Sequence, residues 1–365
     1  MSKKNGKQKA PFNIRTVSDT NLLLAITIII FVLMYLGAMI FLGKGFLRAQ
    51  TFFNILNNNA ALIILSCGMS IVMISGGIDI SLGGLTALIC MISAVHLDKN
   101  GGSVIGAIAI SLLVGLAFGA VQGFLVAYLD IQPFIVTLAG MFFARGLTTI
   151  VNREPFNVEH PGFVALKDTR INVPFMGYYT KSGTYVDAYV EIGVIIALLV
   201  VIVMFAVLKW TKLGRAFYAV GGNAQSALML GINVRRTKFF SHLICGFLAG
   251  IGGFVYFLHI GSGAPTHAAG AEMNAIASSI IGGTMLTGGV GNIIGTFFGV
   301  LSLATIQNIV NSAGLDQAWW TGITIAAMLC LFLVIQSVIV ALKKKPVKIS
   351  DKVSVEVSEK EKKED

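Results

Sequence analysis

A carboxylate and four glycines interrupt one of the most apolar parts of the chain, the stretch ISGGIDISLGGL at residues 74–85. A charge is unfavourable in a membrane, so Asp79 is expected to face an aqueous path or a polar partner. Gly76 and Gly77 free the backbone from helical geometry, and unwound backbone at membrane depth is tolerated only inside protein or beside water. With Ser81, these residues predict a translocation pathway or gate. The alternative is a tight cytoplasmic turn in which Asp79 and Ser81 cap the next helix.

A second glycine-rich stretch echoes the first. The segment from Thr287 to Gly295, TGGVGNIIG, resembles SGGIDISLG, and both lie between apolar runs. Paired, glycine-interrupted membrane segments indicate a transport site built from broken helices. Gly288 and Gly289 are therefore further pathway candidates. The predicted topology gives both segments the same orientation, so they do not form an inverted repeat.

The stretch GRAFYAVGGNAQSALMLGINVRRTK, residues 214–238, predicts a site of another kind. Asn223 is a good N-cap, the next seven residues can form two helical turns, and Gly231 is a natural stop. The apolar side chains at the end of this helix would be exposed to water, which is unfavourable without a partner. The pattern is typical of a helix that inserts into a groove of another protein. The alternative is a surface helix lying on lipid headgroups. The predicted contact residues are Asn223, Ala224, Gln225, Ser226, Ala227, Leu228, Met229, Leu230 and Gly231.

Membrane helices must position these residues. Only 12% of the 365 residues are charged, about half the fraction of a typical soluble protein, and the mean hydropathy is +0.82. About 20 apolar residues cross a bilayer. The sequence therefore predicts an all-α, polytopic membrane protein with about ten transmembrane helices, some short or broken, within residues 21–342. The predicted spans are 21–42, 53–76, 82–97, 103–129, 133–151, 190–209, 238–260, 272–287, 291–312 and 317–342.

Charge sets the predicted orientation. Basic residues cluster in the head (1–20), in the loop 210–237 and in the tail (343–365), and such clusters mark cytoplasmic faces. Both termini are thus expected in the cytoplasm and 152–189 outside, as a folded lid, a docking surface or a solvated connector. The charged tail is expected to be disordered, with its lysines near anionic lipid. No basic stripe alternates with exposed aromatic residues, so nucleic acid is not an expected partner.

Other polar residues of the spans are interpreted structurally. Arg145 is expected to extend its charge outward to the interface. Glu272 is expected to complement a helix dipole. Single histidines near span ends are interpreted as interfacial; they are His96, His242, His259 and His267.

Three ordered motifs resemble permease subunits of bacterial ABC importers for ribose, xylose, arabinose and galactosides. SGGIDISLGG is similar to the family's SGGIDLSVG element, and AVGGNAQSALMLGINV to its cytoplasmic GGN segment. AIASSIIGGTMLTGGVGNIIGT is similar to a third family element, so the likeness covers about residues 50–340. FIVTLAGMFFARG and the AWW at Trp319 look closest to galactofuranose permeases, which pair two different membrane subunits. Leu228 departs from the alanine of many members, which bears on partner fit.

The resemblance implies import of a monosaccharide through the bacterial plasma (inner) membrane. ATP-Mg would bind a separate cytoplasmic ATPase, an external binding protein would deliver the sugar, and 223–231 would be the coupling helix. A second permease, the same chain or a sister chain, would complete the membrane part. Aromatic rings stack on sugar faces, so Phe134 and Phe142 join the pathway candidates.

The sequence agrees with an ATPase that is a separate subunit. No GxxxxGK[ST] is present to bind phosphates, so no cofactor, metal or enzymatic activity is expected on this chain. The alternative function is an ion-coupled secondary transporter of a small polar solute. That class needs intramembrane carboxylates or histidines as relays, and only Asp79 clearly qualifies.

Overall fold

The computed structural model describes residues 19–43, 46–179, 185–315 and 318–344. The predicted basic head and the predicted disordered tail, apart from their edges, lie outside the described residues.

Within the described ranges, nine helices are long and apolar enough to cross a membrane. The all-α, polytopic fold predicted from the sequence is confirmed. A π-helical turn, Val95–Lys99, extends the third of these helices. The nine are α1 (Asp19–Phe41), α2 (Ala49–Ile74), α3 (Leu82–Ala94), α4 (Val104–Tyr128), α5 (Pro133–Val151), α7 (Ile192–Trp210), α10 (Val234–Ile260), α12 (Ile293–Ser312) and α13 (Ala318–Lys344).

The predicted span at 272–287 is wrong in length. Helix α11 covers only Ala271–Ile281, about 16 Å at 1.5 Å per residue, which is half a membrane. It ends at Gly282, and Gly283 then turns the chain with a φ of +88°. A left-handed backbone of this kind favours glycine and stops a helix. The apolar residues that follow form a loop to α12.

Helices α2 and α10 form the centre of the bundle. Most of α2 is buried, and α10 crosses both α2 and α4. Helices α4 and α10 meet backbone to backbone, because a Cβ on Gly119 would lie 2.6 Å from the carbonyl oxygen of His242. Small residues allow such close helix packing in membranes. Helix α10 begins at Val234, earlier than the predicted 238.

The segment between α5 and α7 is folded. It contains β1 (Phe156–Asn157), α6 (Pro161–Lys167), and an antiparallel hairpin of β2 (Arg170–Tyr179) and β3 (Tyr185–Glu191). Strand β1 pairs with β4 (Ser262–Gly263), which follows α10. The Asn57 side chain of α2 accepts a hydrogen bond from the backbone N–H of Glu191, which fastens the hairpin to the bundle.

Two short helices separate α7 from α10. Helix α8 covers Lys212–Gly222 and α9 covers Ala224–Met229, with Asn223 between them.

Candidate functional site

Helix α9 is a single capped unit. The Asn223 side chain accepts a hydrogen bond of 2.8 Å from the backbone N–H of Ser226. At the other end, Gly231 has a φ of +80°, and the N–H of Ile232 bonds back to the carbonyl of Ala227 at 3.0 Å. These contacts satisfy groups that helix ends otherwise leave unpaired, so six residues hold a helical form. Helix α9 ends at Met229, within the segment that the sequence predicts.

The far side of α9 presents apolar side chains to its surroundings. Met229 is 88% exposed, and Leu228 and Leu230 are also exposed, whereas Ala227 is buried against the chain. A groove of about 610 Å³ runs beside this surface and is lined partly by Asp130 and Arg235. An exposed apolar surface with a charged rim is typical of a protein contact.

The loop before α3 carries Asp79 into the interior. Gly76 has a φ of +87°, which turns the chain away from α2. Asp79 is 2% exposed, and its Oδ1 accepts hydrogen bonds from the backbone N–H of Ser81 at 2.9 Å and from the Ser81 hydroxyl at 2.6 Å. The predicted cap therefore differs in detail, because Asp79 accepts these bonds while the Ser81 side chain makes no cap bond to α3. Asp79 and Ser81 are buried in protein, whereas Gly76 is exposed.

Polar side chains from two other helices surround Asp79. Gln122 of α4 lies 3.3 Å from the Ser81 hydroxyl through its Oε1. His242 of α10 is 1% exposed and within electrostatic range of the Asp79 carboxylate. Among the described residues, Gln122 Nε2 and His242 Nε2 have no hydrogen-bond partner. The interfacial interpretation of His242 is wrong, because α10 starts earlier than predicted and places this residue in the interior.

The predicted pathway residues fall into two places. The backbone of Gly76 approaches that of Gly288, and Gly289 donates a hydrogen bond to the α2 carbonyl of Ile74 at 2.9 Å. Gly77 packs on Val72 and Pro133 instead.

The two aromatic candidates occupy exposed positions of α5. Phe134 and Phe142 are 51% and 64% exposed. Thr137 of α5, one turn after Phe134, has its hydroxyl 3.3 Å from the carbonyl of Ile78 in the Asp79 loop. A groove of about 410 Å³ lies between α4 and α5. Its lining includes Gln122, which contacts Ser81 in the Asp79 turn. Neither of the two aromatic side chains lines this groove.

Two charged residues lie near the start of α11. Arg145 of α5 donates through Nη1 to the carbonyls of Pro265 at 3.1 Å and His267 at 2.6 Å, so its charge has structural partners in the connection between α10 and α11. Glu272 lies in the first turn of α11, as predicted for dipole stabilisation. It is also buried against Gly83 of α3, and its Oε2 has no hydrogen-bond partner in the described part of the chain.

Helix α8 is tied to the loop that follows α11. The Tyr218 hydroxyl donates a hydrogen bond of 2.9 Å to the carbonyl of Gly291. Burial raises the pKa of Tyr218 to about 12, so the phenol keeps its proton at neutral pH and remains a donor.

Comparison with known proteins decides the family. The pattern of the family described as "Branched-chain amino acid transport system / permease component" matches residues 51–333. The chain belongs to this family. No solved structure matches it.

Curated relatives cover most of the chain. It is 38% identical over 316 residues to the inner membrane ABC transporter permease protein YjfF of Escherichia coli K12, which spans 87% of this chain and 92% of the relative. It is 32% identical to the fructose import permease protein FruG of Bifidobacterium longum (86% and 90% covered). It is 35% identical to the ribose import permease protein RbsC of Escherichia coli K12 (76% and 82% covered).

The resemblance to permeases of monosaccharide importers is therefore confirmed. The chain is a multi-pass permease subunit of a transport system and not an enzyme.

Proposed function

We propose that this chain is the membrane permease of an ATP-binding-cassette importer that moves a monosaccharide into the cell. One observation carries the proposal: a permease of this family presents a capped helix, α9, whose exposed Leu228, Met229 and Leu230 have no cover within the described chain. Helix α9 is the coupling helix, residues 223–231, and it inserts into a groove of a cytoplasmic ATPase. ATP-Mg binds that partner. This chain contributes the conduit.

The orientation follows from charge. Residues 212–236, which contain α8 and α9, carry Lys212, Arg215, Arg235 and Arg236, and this basic segment faces the cytoplasm. Helix α11 and the loop after it together return the chain to the side of α8, because Gly289 of that loop lies against Gly221 and Gly222. With this return added to the nine long helices, both termini are cytoplasmic as well, and residues 152–189 lie outside the plasma (inner) membrane. YjfF is named as an inner membrane protein, which supports this location.

The substrate is a pentose or hexose. Relatives at 32% and 35% identity are named as fructose and ribose import permeases, which supports a sugar rather than the amino acid of the family's description. The stretch FIVTLAGMFFARG in α5 and the AWW at Trp319 favour a galactofuranose-like or galactose-like sugar within that class.

The sugar path runs between two permeases. Phe134 and Phe142 are exposed on α5, so this surface of α5 suits a wall shared with a second permease. The second permease is the same chain or a sister chain. Rings at these positions can stack on sugar faces as the sugar passes, while Gly76, Gly77, Asp79, Ser81, Gly288 and Gly289 serve the gate.

An external sugar-binding protein docks on the folded segment between α5 and α7. The hairpin of β2 and β3 is anchored to α2 through Asn57 and Gln50, so it presents a fixed surface. Membrane lipid contacts the remaining outer faces, including the apolar face of α13 with Val334 and Val338.

An ion-coupled secondary transporter remains the second candidate. The burial of Asp79 beside His242 favours it, because paired titratable groups inside a membrane can relay protons.

Reconstitution separates the two functions. The chain is placed in proteoliposomes with or without its ATPase, sister permease and binding protein, and uptake of labelled sugar is measured. The importer requires ATP and every partner, and a proton gradient alone gives no uptake. Uptake by this chain alone under a proton or sodium gradient would show the importer proposal to be wrong.

A further inference from the structure

Three backbone segments meet where the coupling helix joins the membrane helices. They are Ile74–Gly77 after α2, Gly221 in the last turn of α8, and Gly288–Gly289 in the loop between α11 and α12. We call this contact the glycine junction. It unites the two glycine-rich stretches whose sequences echo each other.

The contact is backbone to backbone. The N–H of Gly289 donates to the carbonyl of Ile74 at 2.9 Å. A Cβ on Gly221 would overlap the carbonyl oxygen of Ile74 and lie 2.7 Å from the nitrogen of Gly289. A Cβ on Gly288 would lie 2.7 Å from the carbonyl oxygen of Gly221 and 3.0 Å from the Cα of Gly76. No side chain separates the three segments, and close-packed contacts of this kind transmit displacement rather than absorb it.

Gly221 is held close to α9. Only Gly222 separates it from Asn223, the N-cap of α9. One turn earlier, the Tyr218 hydroxyl binds the carbonyl of Gly291 at 2.9 Å. Phe217 and Val220 of α8 are buried. Helix α8 therefore connects directly to α9 and contacts the membrane loops at two residues, Tyr218 and Gly221.

The other two segments lead to interrupted helices. Residues 75–81 carry Asp79 and lead into α3, whereas 282–292 join α11 to α12. Helices α3 and α11 also touch each other, because Glu272 is packed on Gly83. A displacement at the glycine junction therefore reaches both short helices and the Asp79 turn at once.

We infer that the glycine junction transmits movement of α9 to α3 and α11, and that Gly221 is the positioning residue that makes this transmission possible. The inference rests on the proposed function, in which an ATPase moves α9. It assigns to the two glycine-rich stretches a shared mechanical role, by which they serve the proposed gate.

The test is Gly221→Ala in the complete reconstituted complex. The added methyl pushes α8 off the Ile74 carbonyl, so sugar imported per ATP hydrolysed is expected to fall at least about fivefold, the lower end of typical coupling effects. ATP hydrolysis and assembly are retained. A purely structural defect would lower import and hydrolysis together and leave the ratio unchanged.

Gly222→Ala is the matched control. It adds the same methyl one residue later, where nothing lies within 4 Å of the new Cβ. The control is expected to keep the wild-type ratio. An unchanged ratio in Gly221→Ala, or an equal fall in both variants, overturns the inference.

A second variant decides the case in which Gly221→Ala does not assemble. Tyr218→Phe removes only the hydroxyl bonded to Gly291 and is expected to lower the ratio to a smaller extent. An assembled Tyr218→Phe complex with the wild-type ratio would then overturn the inference. Failure of the proposed function can be distinguished from failure of this inference, because in the former case the wild-type complex itself would show no ATP-driven uptake.

Discussion

Asp79 is a buried carboxylate that forms hydrogen bonds within its own turn and also interacts with Cys245 of α10. Its Oδ1 holds the Ser81 N–H and hydroxyl, which shapes the start of α3, and His242 lies close enough to interact with its charge. A membrane interior makes such a group unfavourable unless it is paired and hydrogen-bonded. The turn chemistry and the gate role of Asp79 are therefore compatible, and substitutions can separate them.

We expect Asp79→Leu to reduce sugar uptake at least about tenfold and to lower the free energy of unfolding by about 1–3 kcal/mol, since it removes the acceptor of the buried Ser81 N–H. Uptake in proteoliposomes and thermal unfolding of the purified complex measure the two effects.

Asp79→Asn is the matched variant. An amide oxygen can still accept both bonds from Ser81, so stability is expected to return, while uptake stays low because the charge beside His242 is lost. Wild-type uptake in Asp79→Asn would show that Asp79 only forms the turn and has no role in the gate.

Among the elements, α9 depends on very few contacts. Ala227 donates its N–H to the carbonyl of Asn223 at 3.0 Å, and its side chain is buried. We expect Ala227→Pro to remove this bond and break the helix, at a typical loss of about 3 kcal/mol for proline in a helix interior. ATP hydrolysis should then continue with little sugar uptake, as measured in the reconstituted complex.

Ala224→Pro tests whether any proline at α9 has this effect. Ala224 is the first helical residue, where proline is tolerated, and Asn223 already has the extended backbone (φ −160°, ψ 107°) that a following proline requires. Coupling should fall much less than in Ala227→Pro. Equal losses, or retained coupling in Ala227→Pro, would place the ATPase contact elsewhere.

Element types were predictable from the sequence wherever one residue pattern sufficed. Apolar runs of about 20 residues predict the nine long helices, and the Asn223 cap with Gly231 predicts α9 nearly to its ends. The half-length of α11 was not predicted, because the residues after Gly283 are as apolar as those before it. The hairpin of β2 and β3 was not predicted either, since its fixed form depends on distant partners such as Asn57.

The site was less predictable than the helices because it depends on contacts between residues that are distant in the sequence. Sequence separation hides the contact of Gly76 with Gly288, and the packing of Gln122 and His242 around Asp79 requires three helices to assemble. Polar residues within apolar spans were the available signal for Gln122 and His242. Only the fold says which of them face one another.

For the whole molecule, every proposed role requires α9 and the β2–β3 hairpin to lie on opposite sides of the membrane. The two ends of α7 carry these features, since α7 follows β3 and leads into α8. A 19-residue apolar helix spans about 29 Å, enough to separate them by one bilayer. The orientation itself rests on charge alone, so it calls for a direct measurement.

We expect a cysteine in Gln225→Cys to resist a membrane-impermeant maleimide in intact cells and to react after lysis, because Gln225 is exposed on α9. Arg153→Cys, exposed after α5, should react in intact cells, since it lies on the opposite side. Both are made in a Cys330→Ser background, as Cys67, Cys90 and Cys245 are buried and Cys330 is exposed. Labelling of Gln225→Cys from outside would reverse the orientation, and α9 could then not contact a cytoplasmic ATPase.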